Sequence, residues 1–263
     1  MSNENSIASP LAPVLNIAAI LALVAGLGIG LYAAIGPLGV WLGQWNFTRG
    51  FDMLRVVNAY ADWIAGIGLL VTIAAFAGAF AMKLGNSTRL ASLALVGTLV
   101  AALAYFVPES FRPPEGTPFI HDITTDTVNV PRYVAIAPIR ANAPNTMEYG
   151  VGENMTPERH AELQNSFYPD ILPQRFNEPV EAVFERALAA VDTLGWELVA
   201  AVPEEGRIEA TDTTFWFRFK DDVVVYITSE GNETVLNARS LSRVGGSDVG
   251  KNAARLREFF AQL

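Results

Sequence analysis

Charged positions are nearly absent from the first 108 residues and frequent afterwards, and this contrast governs how the chain is read. No charge occurs between Glu4 and Arg49, and the runs Trp63–Met82 and Leu90–Pro108 are also uncharged. A hydrocarbon layer about 30 Å thick is crossed by roughly 20 apolar residues in helical form. The pattern therefore predicts three transmembrane helices, near Val14–Ile35, Trp63–Met82 and Leu90–Val107. The tail Met1–Pro13 carries no Lys or Arg and the first apolar run is long, so an uncleaved helix is expected rather than a signal peptide. Glycines 26, 28, 30, 66, 68 and 78 offer small faces on which helix backbones approach closely. Between the first two spans, Phe51, Leu54, Val57 and Ala61 recur at helical spacing, flanked by Trp41, Trp45, Tyr60 and Trp63. Aromatic rings favour the headgroup level, so a short interfacial helix over Phe47–Asp62 is predicted.

Beyond the membrane region (1–108) the polar pattern changes character. Residues 109–130, rich in proline around Arg112–Pro118, read as a stiff linker. A soluble domain over 131–263 follows. Tyr133–Ile139 reads as a strand. Thr156-Pro157-Glu158 is a helix start, with a capping hydroxyl and a first-turn proline. Val180, Val183, Phe184, Ala187, Leu188, Val191 and Leu194 make one stripe of a helix over Glu178–Leu194, which Gly195 is placed to end. Strands are predicted at Trp196–Val202, Arg207–Thr211, Thr213–Lys220, Val223–Thr228 and Thr234–Leu241, with short turns between them. A last helix covers about Val249–Gln262. The fold class is α+β: a bundle of three transmembrane helices, then an antiparallel sheet with two main helices.

Composition sharpens this picture at two points. Residues 109–263 carry 14 Lys and Arg against 24 Asp and Glu. Such an acidic domain repels phosphate backbones, so nucleic acid is not an expected partner. The chain has no cysteine, which excludes disulfides, thiolate metal sites and thiol nucleophiles.

One stretch is distinctive. Arg239-Ser-Leu-Ser-Arg-Val-Gly-Gly-Ser-Asp-Val-Gly-Lys-Asn252, followed by Arg255, resembles the C-terminal signature of the family known as domain of unknown function 1499. The segments Ala210–Asp222 and Ile120–Asp126 are similar to that family too, so the resemblance covers roughly His121–Leu263. Where many members have Pro-Asn-Cys, this chain has Pro144-Asn145-Thr146. The resemblance implies a bacterial protein of the cell envelope and no assigned activity.

Candidate chemistry is sparse. Arg243, Ser247 and Asp248 at a helix start, with Lys251, Asn252 and Arg255 nearby, form a candidate anion-binding turn. The competing reading has Ser247 or Asp248 capping the helix and Arg243 pairing with Asp248. His121 beside Asp122 would make an oriented imidazole, or else ties the linker to the domain. His160 reads as a solvated surface residue. Asp221-Asp222 reads as a cap on a hairpin turn. Phe215, Phe217 and Phe219 read as one core-facing row, with Trp216 on the opposite face as a candidate contact. No metal-ligand spacing, phosphate loop, nucleophile elbow or dinucleotide fingerprint appears, so neither metal nor cofactor is expected.

Orientation follows from a thin count. The segment Met82–Leu90 holds Lys83 and Arg89, and short basic loops favour the cytoplasm. Arg49, Arg55 and Arg112 weigh the other way, and the resemblance tips the choice. The expectation is a multi-pass protein of a bacterial inner membrane, its C-terminal domain periplasmic, in contact with membrane lipids and with another membrane protein or complex. A non-catalytic accessory module ranks first. A binding domain for a small anionic or lipid-like ligand ranks second. An enzyme using His121, Asp122, Arg243 and Asp248 ranks third.

Overall fold

The computed structural model describes residues 11–81, 87–152 and 154–263. Most of the N-terminal tail and of the basic hairpin, Lys83 included, lies outside the described residues. The chain divides into two compact units, Met1–Arg112 and Pro113–Leu263.

The first unit contains α1 (Leu11–Trp41), α2 (Phe47–Ala81) and α3 (Ser87–Glu109). All three are long and apolar enough to cross a membrane. They have almost no amphipathic bias, because apolar residues occupy every side of each helix. Small residues decide where they touch. Ala19, Ala22, Ala75, Ala91 and Ala94 are buried together. A methyl group added at Gly97 of α3 would overlap the carbonyl oxygen of Ala22 in α1. Gly26 meets Gly97, Gly30 meets Val100 and Gly68 meets Thr98, whereas Gly28 and Gly66 face open space. The stretch expected as a separate interfacial helix, 47–62, is instead the start of α2. Nothing in its composition breaks the helix before Trp63, so the backbone hydrogen bonds run straight through.

The second unit is an open antiparallel sheet. Its elements are β1 (Asp122–Thr124), α4 (Pro157–Phe167), β2 (Gln174–Phe176), α5 (Val180–Thr193), β3 (Glu197–Val202), β4 (Arg207–Thr213), β5 (Lys220–Glu230), β6 (Glu233–Ser242) and α6 (Lys251–Phe260). The order across the sheet is β1-β6-β5-β4-β3, with β2 also paired along β6. Inward residues of β4, β5 and β6 (Ile208, Ala210, Val223, Val225, Ile227, Leu236, Ala238) pack on Val183, Phe184, Ala187 and Val191 of α5 and on Ala253, Leu256 and Phe259 of α6. At about 25 cal/mol per Å² of apolar area, this interleaved layer is the main source of the unit's stability. Thr156 caps α4 by accepting from the Arg159 amide, and Gly195 takes the left-handed conformation after α5.

Three local expectations fail for identifiable reasons. Asp122–Thr124, read as linker, is a strand: its residues pair with Leu241, Ser240 and Arg239 of β6. Tyr133–Ile139 is not a strand. Its amides at Val134, Ala135 and Ile136 donate to the carboxylate of Glu209, at 2.8 to 3.1 Å, so no neighbouring strand is needed to satisfy them. The alternating 213–220 segment is a turn between β4 and β5. The Thr214 amide donates to the Phe219 carbonyl at 2.8 Å, the Phe219 amide donates back to the Thr214 hydroxyl, and Arg218 adopts φ +56°. Phenylalanine alternation does not make a strand where the chain must reverse.

A candidate site that turns inward

In a strand, successive side chains point to opposite faces, so the neighbours Asp221 and Asp222 of β5 serve two different layers. Neither caps a turn. Both are buried in the interior of the sheet.

On one face, Asp222 meets the segment 131–147 that covers the sheet. Its carboxylate accepts from Arg140 Nη1 (3.0 Å), from Arg243 Nε and Nη2 (2.9 and 2.8 Å) and from the Thr211 hydroxyl (2.7 Å). Arg243 therefore pairs with Asp222, not with Asp248 as expected. Antiparallel pairing sets Asp222 opposite Thr211 and places Arg239 and Arg243 two positions to either side of Leu241, which explains the meeting. On the other side of Leu241, in the same cross-strand row, Asp122 of β1 holds Arg239 in a two-pronged ion pair, at 2.9 and 2.7 Å. Arg239 also donates to the carbonyls of Pro131 and Met147 and lies over the rings of Tyr133 and Tyr149. Burial works against the Arg239 cation, but Asp122 outweighs it and raises its pKa. Burial prevails at Arg140, whose pKa is lowered, and raises that of the Tyr133 phenol well above normal. Beneath the same cover, Glu209 joins Arg207 to the three amides of 134–136.

On the helix face, Asp221 meets α6. Arg255, fully buried, donates through Nη2 to Asp221 (2.6 Å), through Nε to Asp212 (2.9 Å) and through Nη1 to Ser240 and Asn252 (3.2 and 2.5 Å). Asn252 in turn donates to the His121 carbonyl (2.8 Å) and to the Ser242 hydroxyl (3.0 Å). Desolvation opposes the Arg255 charge, yet Asp221 and Asp212 raise its pKa. Asp248 accepts from the amides of Gly250 (2.9 Å) and Asn252 (2.8 Å), so it occupies the helix start where an external anion would bind. Burial raises its pKa against those two hydrogen bonds.

The expected candidates are thus brought to one end of the sheet but turned to different tasks. Arg243, Asn252, Arg255 and Asp248 are committed to internal partners. The Ser247 hydroxyl accepts from the Val249 amide at 3.2 Å, and the Lys251 side chain is exposed. His121 and Asp122 do not form a dyad. The His121 ring lies 3.3 Å from the Gly246 carbonyl through Nδ1, while Asp122 faces Arg239. His160 is buried rather than solvated. Its Nε2 donates to the Asp122 carbonyl at 2.7 Å beside the Tyr149 ring, and burial lowers its pKa. Trp216 is partly exposed in the β4–β5 turn, edge-on to Phe215, and Phe215 is exposed instead of core-facing. Among the described residues no cluster of three His, Cys, Asp or Glu side chains could hold a metal.

Chemically, this arrangement neutralises charge within the fold. Breaking a buried pair strands an uncompensated charge, so such pairs specify one geometry more than they add net stability. Residues 122–263 match the family model described as protein of unknown function (DUF1499), and the chain belongs to that family. The match begins at Asp122, the first residue of the first strand. No curated protein and no solved structure matches the chain.

Proposed function

We propose that this DUF1499 member is a membrane-anchored interaction module: a non-catalytic accessory component of a bacterial inner-membrane complex, with its C-terminal domain on the periplasmic side. The observation that supports this reading is the direction of the signature's charged groups. Arg243 is spent on Asp222, Arg255 on Asp212 and Asp221, and Asp248 on the amides of α6. A signature used this way builds a rigid domain, and leaves the outer surface and the apolar helices to make contacts. Lys83 and Arg89 favour the cytoplasm for the segment joining α2 to α3, which puts the domain on the other side.

Native mass spectrometry of the full chain, extracted in mild detergent from its own membrane, tests the reading. A stoichiometric co-purifying protein is the expected result. A bound small molecule that is lost on Arg243→Ala, with no protein partner, would replace it with a ligand-binding domain at the 243–252 turn.

A further inference from the structure

The end of the sheet that the linker reaches bears exposed aromatic side chains. There Ser242 donates its amide to the His121 carbonyl, and Asp248 donates to that of Ile120. The β4–β5 turn lies at the same end, because Lys220 accepts from the Arg243 amide and Asp221 pairs with Ser242. Four large apolar side chains project from this end: Phe119 (74% exposed), Phe215 (64%), Val249 (51%) and Trp216 (41%). The opposite end, the β5–β6 hairpin, is Glu230-Gly-Asn-Glu233.

Arg218 and Val249 adopt φ +56° and +51°, conformations that non-glycine residues rarely take. The charge at this end also departs from the acidic whole. Arg218, Lys220 and Lys251 are exposed here, with Glu197 3.8 Å from Lys220. Phenylalanine and tryptophan beside basic residues is the composition that settles at a lipid headgroup layer.

The tether favours the same occupant. The stretch between Glu109, which ends α3, and Asp122 reaches at most about 45 Å when fully extended. A turn in which the Thr117 amide and hydroxyl both donate to the Pro114 carbonyl shortens it. A weak surface contact confined this closely acts at high effective concentration. We propose that this end of the domain is a lipid-contacting surface, with Phe215, Trp216, Phe119 and Val249 seated in the headgroup layer of the membrane that carries α1–α3. The proposal rests on the membrane-anchored reading above and adds the contact that orients the domain.

The absence of cysteine makes the test direct. Single variants Phe215→Cys, Phe119→Cys, Asn232→Cys and Leu70→Cys of the full chain are labelled with a nitroxide. They are reconstituted into vesicles of phosphatidylcholine and phosphatidylglycerol. Collision rates with oxygen and with a water-soluble nickel chelate are then measured. Leu70, in the middle of α2, reports insertion, and Asn232, in the β5–β6 hairpin, reports water. The expected result is several-fold lower nickel access and higher oxygen access at 215 and 119 than at 232. Equal nickel access at 215, 119 and 232 would overturn the lipid contact. Low access to both reagents at 215 and 119 would also overturn it, in favour of a protein neighbour. If the label at 70 were open to nickel, the membrane anchoring itself would fall.

Discussion

Replacing Asp222 by Asn changes almost no volume but removes the charge on which two guanidinium groups converge. The carboxylate accepts three charged hydrogen bonds and one from Thr211, and its side chain is inaccessible to water. Arg140 is equally inaccessible, so the substitution leaves a buried cation facing an amide that also donates. Breaking a buried pair from one side typically costs about 3–5 kcal/mol, a large part of the roughly 5–15 kcal/mol that stabilises a domain. With a urea dependence of about 2 kcal/mol per molar, the unfolding midpoint should fall by roughly 2 M. Arg243→Ala should cost less, about 1–2 kcal/mol, because Asp222 keeps Arg140 and Thr211 and Arg243 is partly solvated. Adding Arg140→Met to Asp222→Asn should recover part of the loss by removing the stranded cation. Pulse proteolysis of the full chain in urea reads all three. A loss below about 1 kcal/mol for Asp222→Asn, or a larger loss for Arg243→Ala, would show that Asp222 does not neutralise buried charge.

Other residues offer independent checks. His160 has a lowered pKa, so its contribution is present above the unfolded value of about 6.5 and is lost as pH falls through the folded one. His160→Gln should therefore flatten the decline in stability on mild acidification, measured as urea midpoint against pH. Glu209→Gln should free the amides of 134–136 and cost about 2–4 kcal/mol, with faster hydrogen exchange confined first to that segment. Gly97→Leu should force α1 and α3 apart and lower the melting temperature of the full chain in detergent, whereas Gly28→Leu, which faces open space, should not. Gly206→Ala should destabilise by well over about 1 kcal/mol, since its φ is +62° and the new methyl would meet the Ile227 carbonyl oxygen. Gly231→Ala, with similar φ and nothing nearby, should cost less in the same urea assay.

What was legible in the chain follows the strength of its local signals. Uncharged runs of helical length announced α1, α2 and α3, and apolar periodicity announced α5, because each signal lies within its own segment. Thr156 and Gly195 marked helix ends through local geometry that tertiary contacts do not override. The interior polar groups were hidden by a different rule. Residues such as Asp221, Asp222, Glu209 and His160 are ordinarily placed on a surface, and only partners distant in sequence reverse that. Asp222 finds Arg140 across 82 positions, and Asp122 finds Arg239 across 117. One signal was available: the strand Asp-Asp-Val-Val-Val opens with charges where both faces are otherwise apolar, and Arg239 and Arg243 share one face of the strand and turn at β6. Polar residues at strand period inside an apolar run point to a paired interior. The Tyr133–Ile139 segment misleads for the same reason, since the Glu209 carboxylate of β4 supplies the hydrogen bonds that a sheet neighbour would give.

The signature's arginines are structural members locked to carboxylates of the sheet. Solvent exchange of arginine Nε–H protons, followed by nitrogen-resolved NMR of the full chain in detergent, tests it most directly. The Nε–H groups of Arg239, Arg243 and Arg255 donate to Asp122, Asp222 and Asp212, and should exchange orders of magnitude more slowly than that of the exposed Arg55. Rapid exchange at Arg239 and Arg255, at the rate of Arg55, would show these side chains open to solvent and return them to the candidate ligand-binding residues.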